Sequence, residues 1–313
     1  MVEVAANIEE LTRSVEAITK SLEEHKYICS KPIATAVYLA YHLNKPILIE
    51  GPPGVGKTEL AKTTSDMLSL PLIRLQCYEG LDATSALYEW NYQRQLLHIK
   101  LDENSQRSLA EREADIFSED FLLKRPLLQA ITRRQPPVLL IDELDRADEE
   151  FESFLVEVLS DWQITIPEIG TILADEPPHV VLTSNRTREL SDAVRRRCFY
   201  LWIDYPPFDK EVAIVRNKVE GIDAQLAEQI CRFMELIRLQ KLEKMPGVAE
   251  TLDWAKALVA LHQHHLDPEV VADTLGIVFK DRHDVAQVKE SLAEFLERLG
   301  VRAKMTPEAT NDA

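Results

Sequence analysis

Eight consecutive residues carry the clearest chemical signal in this sequence. Gly51, Pro52, Pro53, Gly54, Val55, Gly56, Lys57 and Thr58 fit the pattern G-x-x-x-x-G-K-[ST], and Glu59 follows them. Glycines at these positions let the backbone approach a phosphate closely, and the amides at the start of a following helix point at the anion. A lysine at this spacing reaches β- and γ-phosphates, and the threonine hydroxyl is a hard oxygen donor for Mg²⁺. The stretch from Gly51 to Glu59 is therefore expected to bind the phosphates of a nucleotide. The competing reading is a plain glycine turn between strand and helix whose lysine is solvated.

A second group weighs against that plain reading. The run VLLIDE ends an apolar strand with Asp142 and Glu143. Ligands of open α/β sheets bind at the carboxyl ends of the strands, which is where these acids fall. Asp142 is expected to hold Mg²⁺ together with Thr58, largely through water, and Glu143 to accept a hydrogen bond from the attacking water. On its own the pair could simply be a charged strand end before the acidic stretch 148–152. Asn185 closes the next apolar run, HVVLTSN, where a neutral amide orients the water and senses the γ-phosphate. Arg195, Arg196 and Arg197 then end a helix just before the last strand. Arginine runs are usually solvated, but at strand tips they can project into a neighbouring subunit's nucleotide. Two strings are discounted. DELD (142–145) suggests a helicase, which needs a second sheet domain, and NKVE (217–220) lies in a helical stretch.

The elements that must position these residues can be read from periodicity. Short apolar runs at 45–51, 71–76, 136–143, 179–185 and 199–206 read as buried strands. Helical patterns lie between them at 58–68, 149–159 and 189–195. Two more precede the sheet: 7–24, with Ile8, Leu11, Val15, Ile18 and Leu22 on one face, and 32–43, with Pro32 in the first turn. Strands alternating with helices imply α/β architecture, a parallel sheet with helices on both faces. The segment at about 80–130 breaks the pattern with the aromatic-rich run 88–101, and 163–173 reads as a β-hairpin turning near Glu168–Gly170. Beyond residue 207 the strands stop, and helical periods cover 209–219, 223–240, 249–265, 268–278 and 282–299. The expected organisation is an N-terminal helix and linker (1–30), a nucleotide-binding core (31–206), a small all-helical lid (207–300) and a flexible tail (301–313).

Composition bounds the partners. With 313 residues, two structural units are expected, and a net charge of −17 argues against coating of DNA or of an anionic membrane. Cys29, Cys77, Cys198 and Cys231 are scattered, which suits free thiols in a reducing compartment rather than a disulfide framework or zinc ribbon. The acidic N-terminus does not read as a secretory signal, and no run is long and apolar enough to span a bilayer. A cytoplasmic location without membrane insertion is expected.

The ordered set of phosphate loop, Asp-Glu pair, strand-end Asn, terminal Arg and helical lid resembles the AAA+ ATPases over roughly residues 25–300. More narrowly it is similar to the MoxR family. DELDRA (142–147) is close to that family's DEINRA, and 154–170 looks like its helix plus pre-sensor hairpin, with 80–130 where the family inserts into its second helix. The ending RRRCFYLWIDYP (195–206) is similar to the CoxD-like branch, which assists maturation of a molybdenum–copper carbon monoxide dehydrogenase. The resemblance implies a P-loop NTPase core, a ring oligomer, a hexamer, with ATP between subunits, and chaperone-like remodelling of a metalloenzyme with a von Willebrand A-type partner. It also implies that the insert and hairpin face the ring centre, so that Tyr88, Trp90 and Tyr92 grip a client. Alternatively these aromatics anchor the insert, as Phe117 and Phe121 are expected to do.

Two departures stand out. Where relatives place an arginine contacting the γ-phosphate from the lid, GVAET (247–251) puts Thr251, with Lys256 further along. YICSKPIA (27–34) replaces a GQ-containing loop, and adenine is expected near Tyr27 to Ile33. His262, His264 and His265 are expected on the surface rather than in a metal site. The alternative function is a DNA-linked AAA+ motor or loader, which a salt-sensitive stimulation by DNA would reveal. A nucleotide kinase is a third class, distinguished by a phosphorylated acceptor.

Overall fold

A computed structural model describes residues 10–102 and 108–300; the start of the first predicted helix, residues 103–107 of the insert and the tail lie outside them. The chain divides into two units. One comprises residues up to Gly51 and Lys57–Ile203, the other Pro52–Gly56 and the residues from Asp204 onward.

In the first unit the stretch predicted as one helix over 7–24 is interrupted: Glu10 and Leu11 are helical, residues 12–14 are not, and α1 (Val15–Glu24) starts afresh after Ser14, which caps it by accepting from the Ala17 amide at 3.1 Å. A serine side chain that satisfies an orphan amide competes with helix continuation, so the apolar stripe is broken there. Helix α2 (Lys31–Leu43), with Pro32 in its first turn, leads into β1 (Ile47–Glu50), all four residues of which are buried. Helix α3 (Lys57–Leu68) follows, then β2 (Leu72–Gln76). The insert consists of α4 (Ala83–Leu87), β3 (Tyr88–Trp90), α5 (Tyr92–Leu101), α6 (Leu109–Ile116), β4 (Leu122–Lys124) and α7 (Pro126–Ile131). Strands β3 and β4 pair antiparallel, Trp90 opposite Leu122. Trp90 is buried with the Phe117 ring edge-on at 5.3 Å, and Phe121 is buried as well, whereas Tyr92 is exposed. Trp90 therefore anchors the insert, and Tyr92 alone of the three aromatics is largely in solvent.

Strand β5 (Val138–Asp142) leads to α8 (Glu149–Asp161), capped by Asp148. Strands β6 (Gln163–Ile166) and β7 (Gly170–Leu173) form an antiparallel pair with Ile164 and Ile166 buried, while Thr165 and Thr171 meet across the opposite face. Strand β8 (His179–Ser184), α9 (Asp192–Arg197) and β9 (Phe199–Trp202) complete the unit. The main sheet is parallel throughout, in the order β2-β5-β8-β1-β9. Its register places Gln76 opposite Asp142 and Glu50 opposite Ser184, so the polar ends of four strands lie along one edge. Central strands buried on both faces read as continuous apolar runs, which is why Val138–Ile141 contains no polar side chain. Burial of each such leucine or isoleucine contributes about 1.5–3 kcal/mol.

The second unit is helical: α10 (Phe208–Lys218), α11 (Ala224–Arg238), α12 (Val248–Ala260), α13 (Pro268–Val278), α14 (Arg282–Glu290) and α15 (Leu292–Arg298). Asp223, Asp267 and Asp281 cap three of them through their carboxylates. Phe233, Trp254, Leu258, Leu275 and Phe295 lie in one core, and the Trp254 indole donates to Thr274 Oγ1 at 2.9 Å. Two predicted boundaries move. The helix expected over 249–265 stops at Ala260, where His262 turns left-handed at φ 55°, and the helix expected over 282–299 breaks at Ser291.

Candidate functional site

Backbone geometry explains the glycine that leaves β1. A Cβ on Gly51 would lie 1.9 Å from the Ile203 carbonyl oxygen, so any side chain there would collide with the extension of β9. Gly56 takes φ +96°, a conformation L-residues rarely adopt. Lys57, at the start of α3, is buried, and its Nζ donates to the Gly51 carbonyl at 2.7 Å. Burial lowers its pKa to about 8, a shift opposed by the negative fields of Asp145, Asp142 and Glu143. A desolvated ammonium of this kind gains strongly from an anionic partner.

The next residue reaches the acid pair. Thr58 Oγ1 donates to Asp142 Oδ1 at 2.9 Å, across 84 residues of sequence. Asp142 is buried and takes two further donors, Thr183 Oγ1 at 2.6 Å and the Arg74 guanidinium at 2.6 Å on Oδ2. Thr183 also accepts the Glu143 amide at 2.9 Å, so one hydroxyl fixes the backbone of one acid and the carboxylate of the other. Glu143 itself is left-handed, with φ 56° and ψ 49°. Such a conformation costs about 1–2 kcal/mol for a residue with a Cβ, and it turns the chain sharply at the end of β5. Its Oε1 lies 3.5 Å from Asn185 Nδ2, while Oε2 receives Gln76 Nε2 at 3.3 Å and pairs with Arg146 Nε at 2.8 Å. Lys57, Thr58, Asp142, Glu143 and Asn185 are thereby linked through contacts or fields at one sheet edge. The hydroxyl and carboxylate of Thr58 and Asp142 form an all-oxygen donor pair, which fits a hard, partly hydrated cation such as Mg²⁺. Among the described residues no group of three or more His, Cys, Asp or Glu side chains is arranged to hold a metal ion, and His262, His264 and His265 are exposed.

Sequence reasoning missed the residues that hold this edge in place. Asp145, buried two residues past Glu143, accepts the Asn185 amide at 3.1 Å, the Thr187 amide at 2.8 Å and the Thr187 hydroxyl at 2.7 Å. Glu152, fully buried on α8, accepts the Ser191 amide at 2.8 Å and pairs with Arg188. Two acids of the 142–152 stretch thus organise the loop that leads from Asn185 to α9. The only sequence signal for them was the density of acid after β5.

The three arginines of α9 do not bond to the acid pair. Arg195 lies over the Tyr200 ring at 5.7 Å, and Arg197 donates to Ser160 Oγ at 2.7 Å. Arg196 has only a loose pair with Asp192 at 3.8 Å, both side chains more than 80% exposed. Tyr27 is buried, and burial raises its hydroxyl pKa, with Cys29 and Glu59 adding to the shift.

In the second unit the phosphate loop packs on α12. The Ala249 amide donates to the Gly54 carbonyl at 3.1 Å, and a Cβ on Gly247 would lie 2.7 Å from the Pro53 carbonyl. Thr251 is fully buried and points into a polar cluster: it donates to Glu211 Oε1 at 2.7 Å and accepts from Arg238 at 3.2 Å. Arg238 forms a bidentate pair with Glu211 at 2.6 and 2.8 Å and donates to the Pro246 carbonyl at 3.0 Å. Lys256 pairs with Asp253 at the surface.

Residues 46–198 match a family model described as AAA domain (dynein-related subfamily). The sheet and helices have the fold of AAA+ P-loop NTPases, a family whose members hydrolyse ATP. Similar curated proteins include an uncharacterized protein of Staphylococcus haemolyticus (strain JCSC1435), 28% identical over 228 residues that cover 71% of this chain and 78% of that protein. An uncharacterized protein of Staphylococcus epidermidis (strain ATCC 35984) is 27% identical with the same coverage. Among solved structures, the Thermotoga maritima RuvB Holliday junction branch migration motor aligns with a TM-score of 0.46 and 19% identity, covering 87% of this chain and 80% of that one. No helix among the described residues is long and apolar enough to cross a membrane.

Proposed function

We propose that this chain hydrolyses ATP as one subunit of a MoxR-like AAA+ ring and uses the cycle to remodel a protein partner. The observation that carries the reading is the 2.9 Å contact of Thr58 with Asp142, beside a buried Lys57 and a held Glu143. In this reading the turn from Gly51 through Pro52 and Pro53 wraps the phosphates, the backbone N–H donors coming from Gly54, Val55 and Gly56 because proline has none, and Glu59 lies in the first turn of the helix behind them. Lys57 exchanges the Gly51 carbonyl for phosphate oxygens. Thr58 and Asp142 are the residues to hold Mg²⁺, which when bound neutralises phosphate charge. Glu143 accepts a hydrogen bond from water, and Asn185 fixes that water's orientation in line with the γ-phosphate.

The positive charge for the transition state comes from a second copy of the chain. Arg196 is the candidate, because Arg195 stacks on Tyr200 and Arg197 is engaged with Ser160, whereas Arg196 is nearly unrestrained. A hexameric ring, a von Willebrand A-type partner, a metalloenzyme client and a cytoplasmic location come with the MoxR resemblance. The charge of −17 favours a protein client over DNA. A salt-sensitive stimulation of turnover by DNA would move the reading to a nucleic-acid motor.

Mixing tests the shared site. Subunits carrying Lys57→Ala and subunits carrying Arg196→Ala with Arg197→Ala should each be inactive alone and recover part of the activity together. No recovery at any mixing ratio would remove the trans arginine.

A further inference from the structure

Glu143 is held asymmetrically. Its Oε2 has two partners, Arg146 Nε at 2.8 Å and Gln76 Nε2 at 3.3 Å, while Oε1 has only the Asn185 amide at 3.5 Å, the limit of a hydrogen bond. A carboxylate that accepts a proton or hydrogen bond from water needs one oxygen fixed and the other presented to the water, within about 2.6–3.2 Å. Asn185, which faces Oε1, is also the amide that the proposed reaction uses to orient that water. Arg146 follows Glu143 through a single 3-10 turn (Leu144–Arg146) that closes with the Arg146 amide on the Glu143 carbonyl at 2.9 Å. The guanidinium holds Oε2 in the orientation observed, back over the turn that Glu143 opens.

We propose that Arg146 is a positioning residue for Glu143: it anchors Oε2, with Gln76 as the weaker second anchor, and leaves Oε1 as the oxygen that receives the water. The proposal rests on the reading of Glu143 as the residue that aligns the attacking water. Arg146 touches neither nucleotide nor metal in this scheme and acts only through Glu143. Its side chain is 57% exposed, so its removal should leave the fold intact.

The test is steady-state ATP turnover of Arg146→Ala, Arg146→Lys and Glu143→Gln, with nucleotide affinity measured by fluorescent ATP-analogue titration. Misplacement of a reacting group by about 1 Å costs up to roughly a hundredfold in rate. Arg146→Ala should therefore lower kcat by roughly ten- to a hundredfold with KM and nucleotide affinity unchanged. Arg146→Lys, which keeps a cationic donor, should recover part of the loss. Combining Arg146→Ala with Glu143→Gln should add nothing to the defect of Glu143→Gln alone. Unchanged or increased kcat in Arg146→Ala would overturn the proposal, as would an additive loss in the double variant. Normal turnover in Glu143→Gln would instead overturn the underlying assignment of Glu143, whatever Arg146 does. Gln76→Ala gives an independent check, expected to lower kcat in the same direction by less; no loss, or a larger loss than Arg146→Ala, would count against the ranking of the two anchors.

Discussion

Two carboxylate–guanidinium clusters, one in each unit, use the same chemistry under opposite conditions. In the helical unit Glu211 and Arg238 are 2% and 11% exposed, bonded in both arms and closed over by Thr251 and the Pro246 carbonyl. At the sheet edge of the first unit, the guanidinium groups of Arg74 and Arg146 are each about half exposed and bonded through one nitrogen, Arg74 to the buried Asp142 and Arg146 to the partly exposed Glu143. A closed, bidentate pair cannot exchange partners without leaving a charge uncompensated, so it behaves as part of the fold. A single-armed guanidinium that is half in solvent can be released at little cost when water, phosphate or a cation arrives, provided its carboxylate keeps other donors, as Asp142 does in Thr58 and Thr183. The difference separates the cluster that shapes the region around Gly247 from the cluster to which the proposed chemistry is assigned.

The strongest way to break this comparison is Arg238→Ala. It leaves Glu211 buried with one hydroxyl donor, and unfolding of the helical unit should become easier by about 3–5 kcal/mol. Urea denaturation followed by circular dichroism reports it, and replacing Glu211, Arg238 and Thr251 together with apolar residues should recover most of the loss. A marginal effect from Arg238→Ala alone would show that the closed pair is not structural.

The pH dependence of nucleotide binding is a smaller effect and probes the open edge. Lys57 has a folded pKa near 8 against an ordinary 10.5. The sign follows from burial: a charged Lys57 weighs against the folded chain below about pH 8, and that penalty fades as pH rises through about 8 toward 10.5. Phosphate needs the ammonium form, so above about pH 8 binding must take up a proton. Affinity should then fall by up to about tenfold per pH unit. An affinity that stays flat to about pH 9.5 would contradict the desolvated state of Lys57. The smallest expected change is in the stability of Arg74→Ala. Asp142 keeps the Thr58 and Thr183 hydroxyls, so the loss should be no more than about 1 kcal/mol by denaturant titration. A loss as large as that of Arg238→Ala would erase the distinction between the two clusters.

What could be read without coordinates divides along the same line. The parallel sheet and the helical region after residue 207 were legible because strand and helix periodicities are local properties of the chain. The phosphate loop and Asp142–Glu143 were legible as candidates because tight turns and strand-end acids demand particular residue types. The partners of those acids were not. Arg74, Gln76 and Thr183 reach them only through strand register, which pairs Gln76 with Asp142, 66 positions further along the sequence. Asp145 and Glu152 looked like two more acids in an acidic stretch, and only burial shows that they hold the loop from Asn185 to Ser191. Thr251 was noticed for what it is not, and its role as the inward partner of Glu211 and Arg238 depends on which face of α12 turns to the core.

Phosphate release from ATP by the purified chain with Mg²⁺, measured beside Lys57→Ala and Glu143→Gln, tests the central claim most directly. The account predicts turnover by the native chain, no nucleotide binding by Lys57→Ala, and ATP bound but cleaved at least about a hundredfold more slowly by Glu143→Gln. Undiminished cleavage by either variant would contradict it.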